Sequence, residues 1–420
     1  MSLTLSPRDE AMLAGHCGDA ARMAMSILVT MARASDASHL LDITSAHIDG
    51  CLYHGQSGIE FAQRLVEGGA RVSVPTTLNV GAIDLLHPEY FQGSAEQAHR
   101  ARKLMQLYEA MGCRPVWTCA PYQNAQRPRL GSQIAWAESN AIVFANSVLG
   151  ARTNRYGDFI DICAAITGRA PAAGLHLAEN RRGQILFRLG NIPERVKRED
   201  VFYAVLGYLI GAESFSKIPV IEGLPSDATE DQLKALGAAA ASSGATALFH
   251  AVGVTPEAAT LEDAFQNEKP EKIIDLAMDD LQKALKKLST APDGEIRVVA
   301  LGSPHFSVEE FSRLMPLLGY LPPSEGVEFI ICTNRFVLSE IQKRGWTDAL
   351  ERAGAQIVVD TCIVVSPLVR ARVGALMTNS GKFAHYAPGN TGLEVVFGSL
   401  EECVRSAATG RVWRDERLWR

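Results

Sequence analysis

The chain has 420 residues, 47% of them hydrophobic, with 41 Lys and Arg against 47 Asp and Glu for a formal net charge of −6. That length exceeds one ordinary core and implies two or three domains, while the mixed, mildly acidic charge offers neither a basic stripe for nucleic acid nor a polybasic face for a membrane. No signal-peptide pattern opens the chain and no uncharged apolar run reaches bilayer length, so a cytoplasmic location is expected.

Ser6 as a cap and Pro7 in the first turn predict a helix over 7–33. Strand-like and helical segments then alternate. A strand over 40–44 leads into His47-Ile48-Asp49-Gly50-Cys51, and a helix follows over 58–67. A strand over 72–74 ends at Pro75-Thr76-Thr77-Leu78-Asn79; after a helix over 94–111, a strand over 114–118 delivers Cys119. This rhythm is expected of parallel sheets. Helices over 136–149 and 159–167 come next, and beyond residue 200 the composition shifts to Gly- and Ala-rich helices over 201–214 and 230–243 and an amphipathic helix near 271–288. The last third reads as strands 296–301, 326–332, 356–359 and 371–377 with helices 307–317 and 335–353 between the first three. The expected class is α/β, in domains 1–200, 201–295 and 296–420.

Open α/β sheets put their chemistry at the carboxyl ends of their strands. The predicted exits bear Cys119, Ser303 with His305, Thr333 with Asn334, Asp360 with Cys362, and Asn379 with Ser380. Helix capping accounts for Thr333, Asn334 or Ser380. It does not account for Cys362. Eight cysteines, at 17, 51, 113, 119, 163, 332, 362 and 403, are dispersed without compact spacing, which argues against a disulfide framework and, with no CxxC or HxxxH pair, against structural zinc. Most read as buried thiols. Three thiolates from separate loops can hold an iron–sulfur cluster with one iron open, and such an iron makes hydroxide a tolerable leaving group. Spacing alone does not select that reading over inert cysteines.

The segments Ala46-His47-Ile48-Asp49-Gly50-Cys51, Cys119-Ala120-Pro121-Tyr122, Gly131-Ser132-Gln133-Ile134-Ala135-Trp136-Ala137-Glu138-Ser139-Asn140, Ala151-Arg152-Thr153-Asn154-Arg155, Gly302-Ser303-Pro304-His305 and Asn379-Ser380-Gly381-Lys382-Phe383 together resemble the aconitase X family, in its large-subunit part. The resemblance implies an aconitase-like multidomain fold with parallel sheets flanked by helices, an iron–sulfur cluster, and dehydration of a small hydroxy acid. It also implies a small swivelling domain, expected here as a partner subunit. The family has two chemistries, on cis-3-hydroxy-L-proline and on mevalonate 5-phosphate. The second type carries cysteine where this chain has Ser303, and the His47 to Cys51 segment resembles the first. The resemblance thus favours cis-3-hydroxy-L-proline, with Cys51, Cys119 and Cys362 as metal ligands. The alternatives are mevalonate 5-phosphate dehydration, which wants a phosphate-binding cationic cluster, and a non-enzymatic iron- or redox-responsive binding protein, which wants a basic face.

Elimination needs a base, for which Ser380 and Lys382 are the candidates, with a helix cap and a solvated lysine as the plain alternatives. His47 and His305 are candidates for hydrogen bonds to substrate or leaving hydroxyl. Thr77 and Asn79 follow a predicted strand, where exposed amides could bind a carboxylate. Glu138 and Asn140 start a helix and are candidates for substrate contact or for dipole complement. Asn154 and Arg155 offer a fixed cation for a carboxylate.

Overall fold

The computed structural model describes residues 3–123 and 127–419. The chain divides into two compact units: the first runs to Ile83 and resumes over Gly93–Arg182, and the second takes Asp84–Gln92 and everything from Gly183 onward. No helix among the described residues is long and apolar enough to cross a membrane.

In the first unit the predicted opening helix is two helices, Pro7–Leu13 and Asp19–Ala34. Gly15 and Gly18, at φ 87° and 95°, take the chain out of helical geometry between them. Ser6 and Asp9 form a reciprocal cap, and the same Asp9 carboxylate meets the buried Arg169 guanidinium at 2.8 Å. The sheets are small. Leu40–Asp42 pairs antiparallel with Arg169–Pro171, and a three-stranded parallel sheet runs in the order Thr76–Leu78, Ala46–Ile48, Ala135–Trp136.

Two expectations fail here. No strand spans 114–118: only Arg114 bridges to Thr77, because Pro115 has no N–H for a ladder and Trp117 sits at φ 42°. Cys119 therefore lies in an irregular segment. The strand expected at 72–74 forms instead at Thr76–Leu78, just after Pro75, so the amides of Leu78 and Asn79 are taken by the Arg114 and Ile48 carbonyls at 3.1 and 2.9 Å. They are not a carboxylate nest.

The second unit holds two parallel sheets. One has the order His250–Ala251, Pro219–Glu222, Ile185–Arg188, Lys272–Asp275. Its strands were not expected, since segments of two to four residues show no period, and Lys272–Asp275 replaces the start of the helix predicted near 271–288. The Gly- and Ala-rich stretches are the helices Asp200–Ser214 and Glu230–Gly244, which touch backbone to backbone: a Cβ at Gly207 would lie 2.1 Å from the Leu236 carbonyl oxygen.

The other sheet is five-stranded and parallel throughout: Ala355–Val358, Glu328–Cys332, Ile296–Leu301, Ala375–Thr378, Glu394–Phe397. The first strand in sequence is central, the next two lie on one side, and the last two on the other. The helices between the strands bury Phe311, Val337 and Ile341, and the helix Leu400–Thr409 after the last strand buries Val404, in one core with Val299, Ile331 and Met377. The helix predicted over 335–353 breaks into Arg335–Lys343 and Thr347–Arg352 around Gly345, at φ 70°.

Candidate functional site

Strand order in the five-stranded sheet reverses between Ile296–Leu301 and Ala375–Thr378, and a crevice opens beyond the carboxyl ends of strands at such a point. The residues there are Gly302-Ser303-Pro304-His305 and Asn379-Ser380-Gly381-Lys382. Gly302 has φ 84°, and a Cβ on it would lie 2.0 Å from the Cys332 carbonyl oxygen, so only glycine turns the chain out of this strand. The Ser380 hydroxyl donates to the Ser303 carbonyl and accepts the Phe383 N–H at 2.9 Å, capping the Gly381–Thr391 helix. Gly381 lets that helix start against Ala204 and Ala239. Lys382 is buried beside it. A cleft of about 610 Å³ opens here, with Ser303, Ser380, Lys382, Lys234 and Arg313 in its wall.

The fully buried His305 donates from Nε2 to the Thr361 carbonyl at 2.9 Å, one residue from Cys362. Cys362, 4% exposed, heads a turn in which its carbonyl accepts from Val365 and Ser366 at 3.1 Å each. The turn is fastened from two sides. Arg335 holds the buried Asp360, at φ 62°, with Nε at 2.7 Å, and Asp84 accepts the Val359 N–H at 2.9 Å. The excursion Asp84–Gln92 thus clamps the strand end that presents Cys362, a role its sequence does not announce.

In the first unit, His47 occupies the central strand of the parallel sheet, its Nδ1 2.8 Å from the Thr77 hydroxyl. Burial depresses its pKa to about 4, against the opposing charge of Glu138, so the imidazole is neutral at pH 7. Asp161 accepts the Asp49 and Gly50 amides at 2.7 and 3.3 Å and shapes the turn that carries Cys51. A Cβ on Gly50 would lie 2.6 Å from the Tyr108 hydroxyl, so glycine is required before this cysteine. Burial, then the Glu138 and Asp158 charges, raise Asp49 to about 7; burial raises Asp161 to about 7. Asn79 donates to Asp49.

The Cys51 thiol is fully buried, with the Ile48 and Asn79 carbonyls at 3.4 and 3.5 Å, and burial, followed by the Asp49 and Asp161 charges, pushes its pKa well above the ordinary value. Asn140 donates to the Cys119 carbonyl at 3.0 Å and shares two hydrogen bonds with Tyr122. Glu138, at φ 74°, caps the Ser139–Ser147 helix through the Ala141 N–H at 2.7 Å. Asn154 accepts the Leu175 N–H at 2.7 Å and donates to the Ala173 carbonyl at 3.1 Å, so it fastens a turn and is not presented to a ligand. Arg155 is exposed.

Within each unit the structure thus gathers its own candidates: His47, Thr77, Asn79 and Cys51 in the first, and Ser303, His305, Cys362, Ser380 and Lys382 in the second. Sequence reasoning missed Asp84, Asp161, Lys234 and Asp360 as supports. Their isolated charges carry no local signal.

Family profiles match in three consecutive stretches: the aconitase X first domain over residues 2–179, the second over 183–286 and the third over 296–409. A protein of Pseudomonas aeruginosa named cis-3-hydroxy-L-proline dehydratase is 44% identical over 406 residues, 96% of this chain and 70% of that protein. One of the same name from Hypocrea jecorina is 41% identical over 423 residues, 98% and 69% respectively. The phosphomevalonate dehydratase large subunit of Methanothermobacter thermautotrophicus is 36% identical over 405 residues, 96% of this chain and 98% of that one. Among solved structures, the holo-form of Thermococcus kodakaraensis aconitase X superposes with a TM-score of 0.86 at 34% identity, covering 97% of this chain and all of the other. The chain belongs to the aconitase X family.

Proposed function

We propose that this chain is the large part of a hydro-lyase that removes water from cis-3-hydroxy-L-proline. The observation that carries the reading is the switch-point edge of the five-stranded sheet, where Ser380, Lys382 and Ser303 line one cleft and His305 is bonded beside Cys362. The higher identity to the two hydroxyproline dehydratases, 44% and 41%, than to the phosphomevalonate relative at 36% supports that substrate.

The donor set suits an iron–sulfur centre: Cys51, Cys119 and Cys362 are buried sulfur donors on irregular segments outside helices and strands. Among the described residues no three His, Cys, Asp or Glu side chains stand together as a ready metal cage. Burial keeps the Cys51 thiol protonated in the metal-free chain, so iron held there would displace that proton. When bound, such a centre supplies a Lewis acid for the departing hydroxyl.

The chain's own residues supply the proton chemistry. Ser380 Oγ stands at a helix start, where the Phe383 N–H and the helix dipole favour negative charge on the oxygen, and buried Lys382 adds a cation. This suits Ser380 to take the proton from the carbon next to the carboxylate. Neutral His47 is suited to a hydrogen bond with substrate, and His305 stands beside the cleft for the same role. A small swivelling subunit completes the site in this proposal, supported by the name "large subunit" of the relative that this chain matches over 98% of its length. Anaerobic, iron-replete co-expression with a small-subunit candidate should give a coloured heterodimer that dehydrates cis-3-hydroxy-L-proline. Turnover of mevalonate 5-phosphate alone would transfer the assignment to the other substrate, and a loaded heterodimer inactive on both would end the reading.

A further inference from the structure

Lys234 lies on the Glu230–Gly244 helix, and its side chain is 2% exposed. An ammonium has three hydrogens, and three acceptors surround this one: Asp231 Oδ1 at 2.8 Å, Glu310 in a closer contact, and the carbonyl oxygen of His305 at 3.4 Å. Ser307 closes the network. Its hydroxyl donates to Asp231 Oδ2 at 2.6 Å, its N–H donates to Glu310 Oε2 at 2.8 Å, and its Oγ accepts the Glu310 N–H at 3.0 Å. Ser307 and Glu310 are also the capping box of the Val308–Leu314 helix. One buried ionic network thus joins a helix of the second family domain to the segment 302–307 of the third.

That segment carries Ser303 and His305. Among its attachments on the side of the five-stranded sheet are Phe306 N–H to the Cys332 carbonyl at 2.9 Å, the Thr333 hydroxyl to the Phe306 carbonyl at 2.7 Å, Ser380 to the Ser303 carbonyl, and His305 Nε2 to the Thr361 carbonyl at 2.9 Å. From the neighbouring domain, Asp231 holds the end of the segment through the Ser307 hydroxyl, and Lys234 holds its middle through the His305 carbonyl. We propose that Lys234 is a positioning residue for turnover, which fixes the Ser303 to His305 segment at the cleft by binding the His305 carbonyl while Asp231 and Glu310 fix the ammonium. The inference rests on the hydro-lyase reading above.

A structural ion pair would need only the two carboxylates, and replacing such a pair with neutral groups is often harmless. The third bond, to the carbonyl, gives the lysine a consequence at the site. Burial opposes the ammonium, but the Asp231 and Glu310 charges outweigh it and hold the Lys234 pKa above its ordinary value. With all three hydrogens engaged and the proton tightly held, Lys234 is unsuited to proton transfer. It acts through His305.

The test uses the loaded complex and three versions of the chain: wild type, K234M, and the neutral network D231N/K234M/E310Q. K234M should lower kcat about tenfold or more, a loss typical of misplaced active-site groups, with KM within about twofold. Hydrogen–deuterium exchange in the absence of substrate should quicken in peptides over 302–307 while those over 328–332 stay at the wild-type rate. Should K234M fail to fold, the neutral network, which leaves no unpaired buried charge, is read in the same way. A folded variant with wild-type kcat, or exchange that rises equally in both peptides, overturns the proposal. The two readings fail separately: a wild-type complex that turns over neither hydroxy acid removes the assigned reaction, while exchange still decides whether Lys234 holds the segment.

Discussion

In the second unit, a sheet of five parallel strands, each four to six residues long, brings Ser303, His305, Cys362 and Ser380 to one edge; backbone ladders fix the strand ends, and side chains such as Asp84 and Thr333 only trim the turns beyond them. In the first unit the parallel strands have only two or three residues, and side chains take over that work: Asp161 shapes the Cys51 turn, Asn140 holds Cys119, and Glu138 caps the next helix. A ladder tolerates changes in most side chains along it. A side-chain fastener does not, because removing it leaves a buried backbone group unsatisfied at about 1–3 kcal/mol.

The sharpest way to break this comparison is at the cysteines. Cys119→Ser and Cys362→Ser should each bleach the visible chromophore of the anaerobically loaded complex and lower kcat/KM by about a thousandfold or more, as expected where a Lewis acid supplies several kcal/mol. A full-strength spectrum in either variant removes that cysteine from the ligand set. Next is Ser380→Ala, for which turnover should fall about a hundredfold and stability by only about 1 kcal/mol, the ordinary worth of a cap. Equal losses in folding and catalysis, measured by urea melts and initial rates, would reduce Ser380 to its capping role.

A pH test probes the first unit's reliance on buried polar groups. His176, hydrogen-bonded through Nδ1 to Gln133 at 2.6 Å, is lowered by burial, and then by the Arg181 and Arg152 charges, from 6.5 to about 4. Between those values the unfolded chain binds a proton that the folded chain refuses, so this group's share of stability is intact above pH 6.5 and is lost as pH falls toward 4. The loss reaches about 3 kcal/mol. His47 acts with the same sign and raised Asp49 and Asp161 with the opposite one, so the measurement is the difference between wild-type and His176→Gln urea melts at pH 7 and pH 4.5. A difference independent of pH would refute the assignment. The smallest effects separate two neighbours: Asn154→Ala should cost about 1–2 kcal/mol of stability through its lost turn bonds, while Arg155→Gln should leave stability unchanged and raise KM a few-fold if its guanidinium binds the substrate carboxylate. Unchanged KM removes Arg155 from the substrate site.

Legibility followed the same division. The strands expected over 296–301 and 326–332 were readable from the apolar runs Val298–Leu301 and Phe329–Cys332, the second strand starting at Glu328, and their exits from the Gly302 and Asn334 punctuation. The fifth strand, Glu394–Phe397, and the sheet built on Ile185–Arg188 were not, because runs of three buried residues look alike in strand or helix. The strand assigned to 114–118 failed for a local reason that the sequence did contain: Pro115 denies the ladder a donor.

By itself the sequence determined the α/β class, the glycines that permit the turns at Gly50 and Gly302, and the set of cysteines, serines and histidines from which a site could be drawn. Those follow from backbone permissiveness and side-chain chemistry, which are local. Only the tertiary structure decided that Asp161, Asp84, Asn140 and Lys234 hold that site in shape. Each binds a backbone group far along the chain, from 21 residues away for Asn140 to 275 for Asp84, and a hydrogen bond formed over such a span leaves no periodicity or motif at either end.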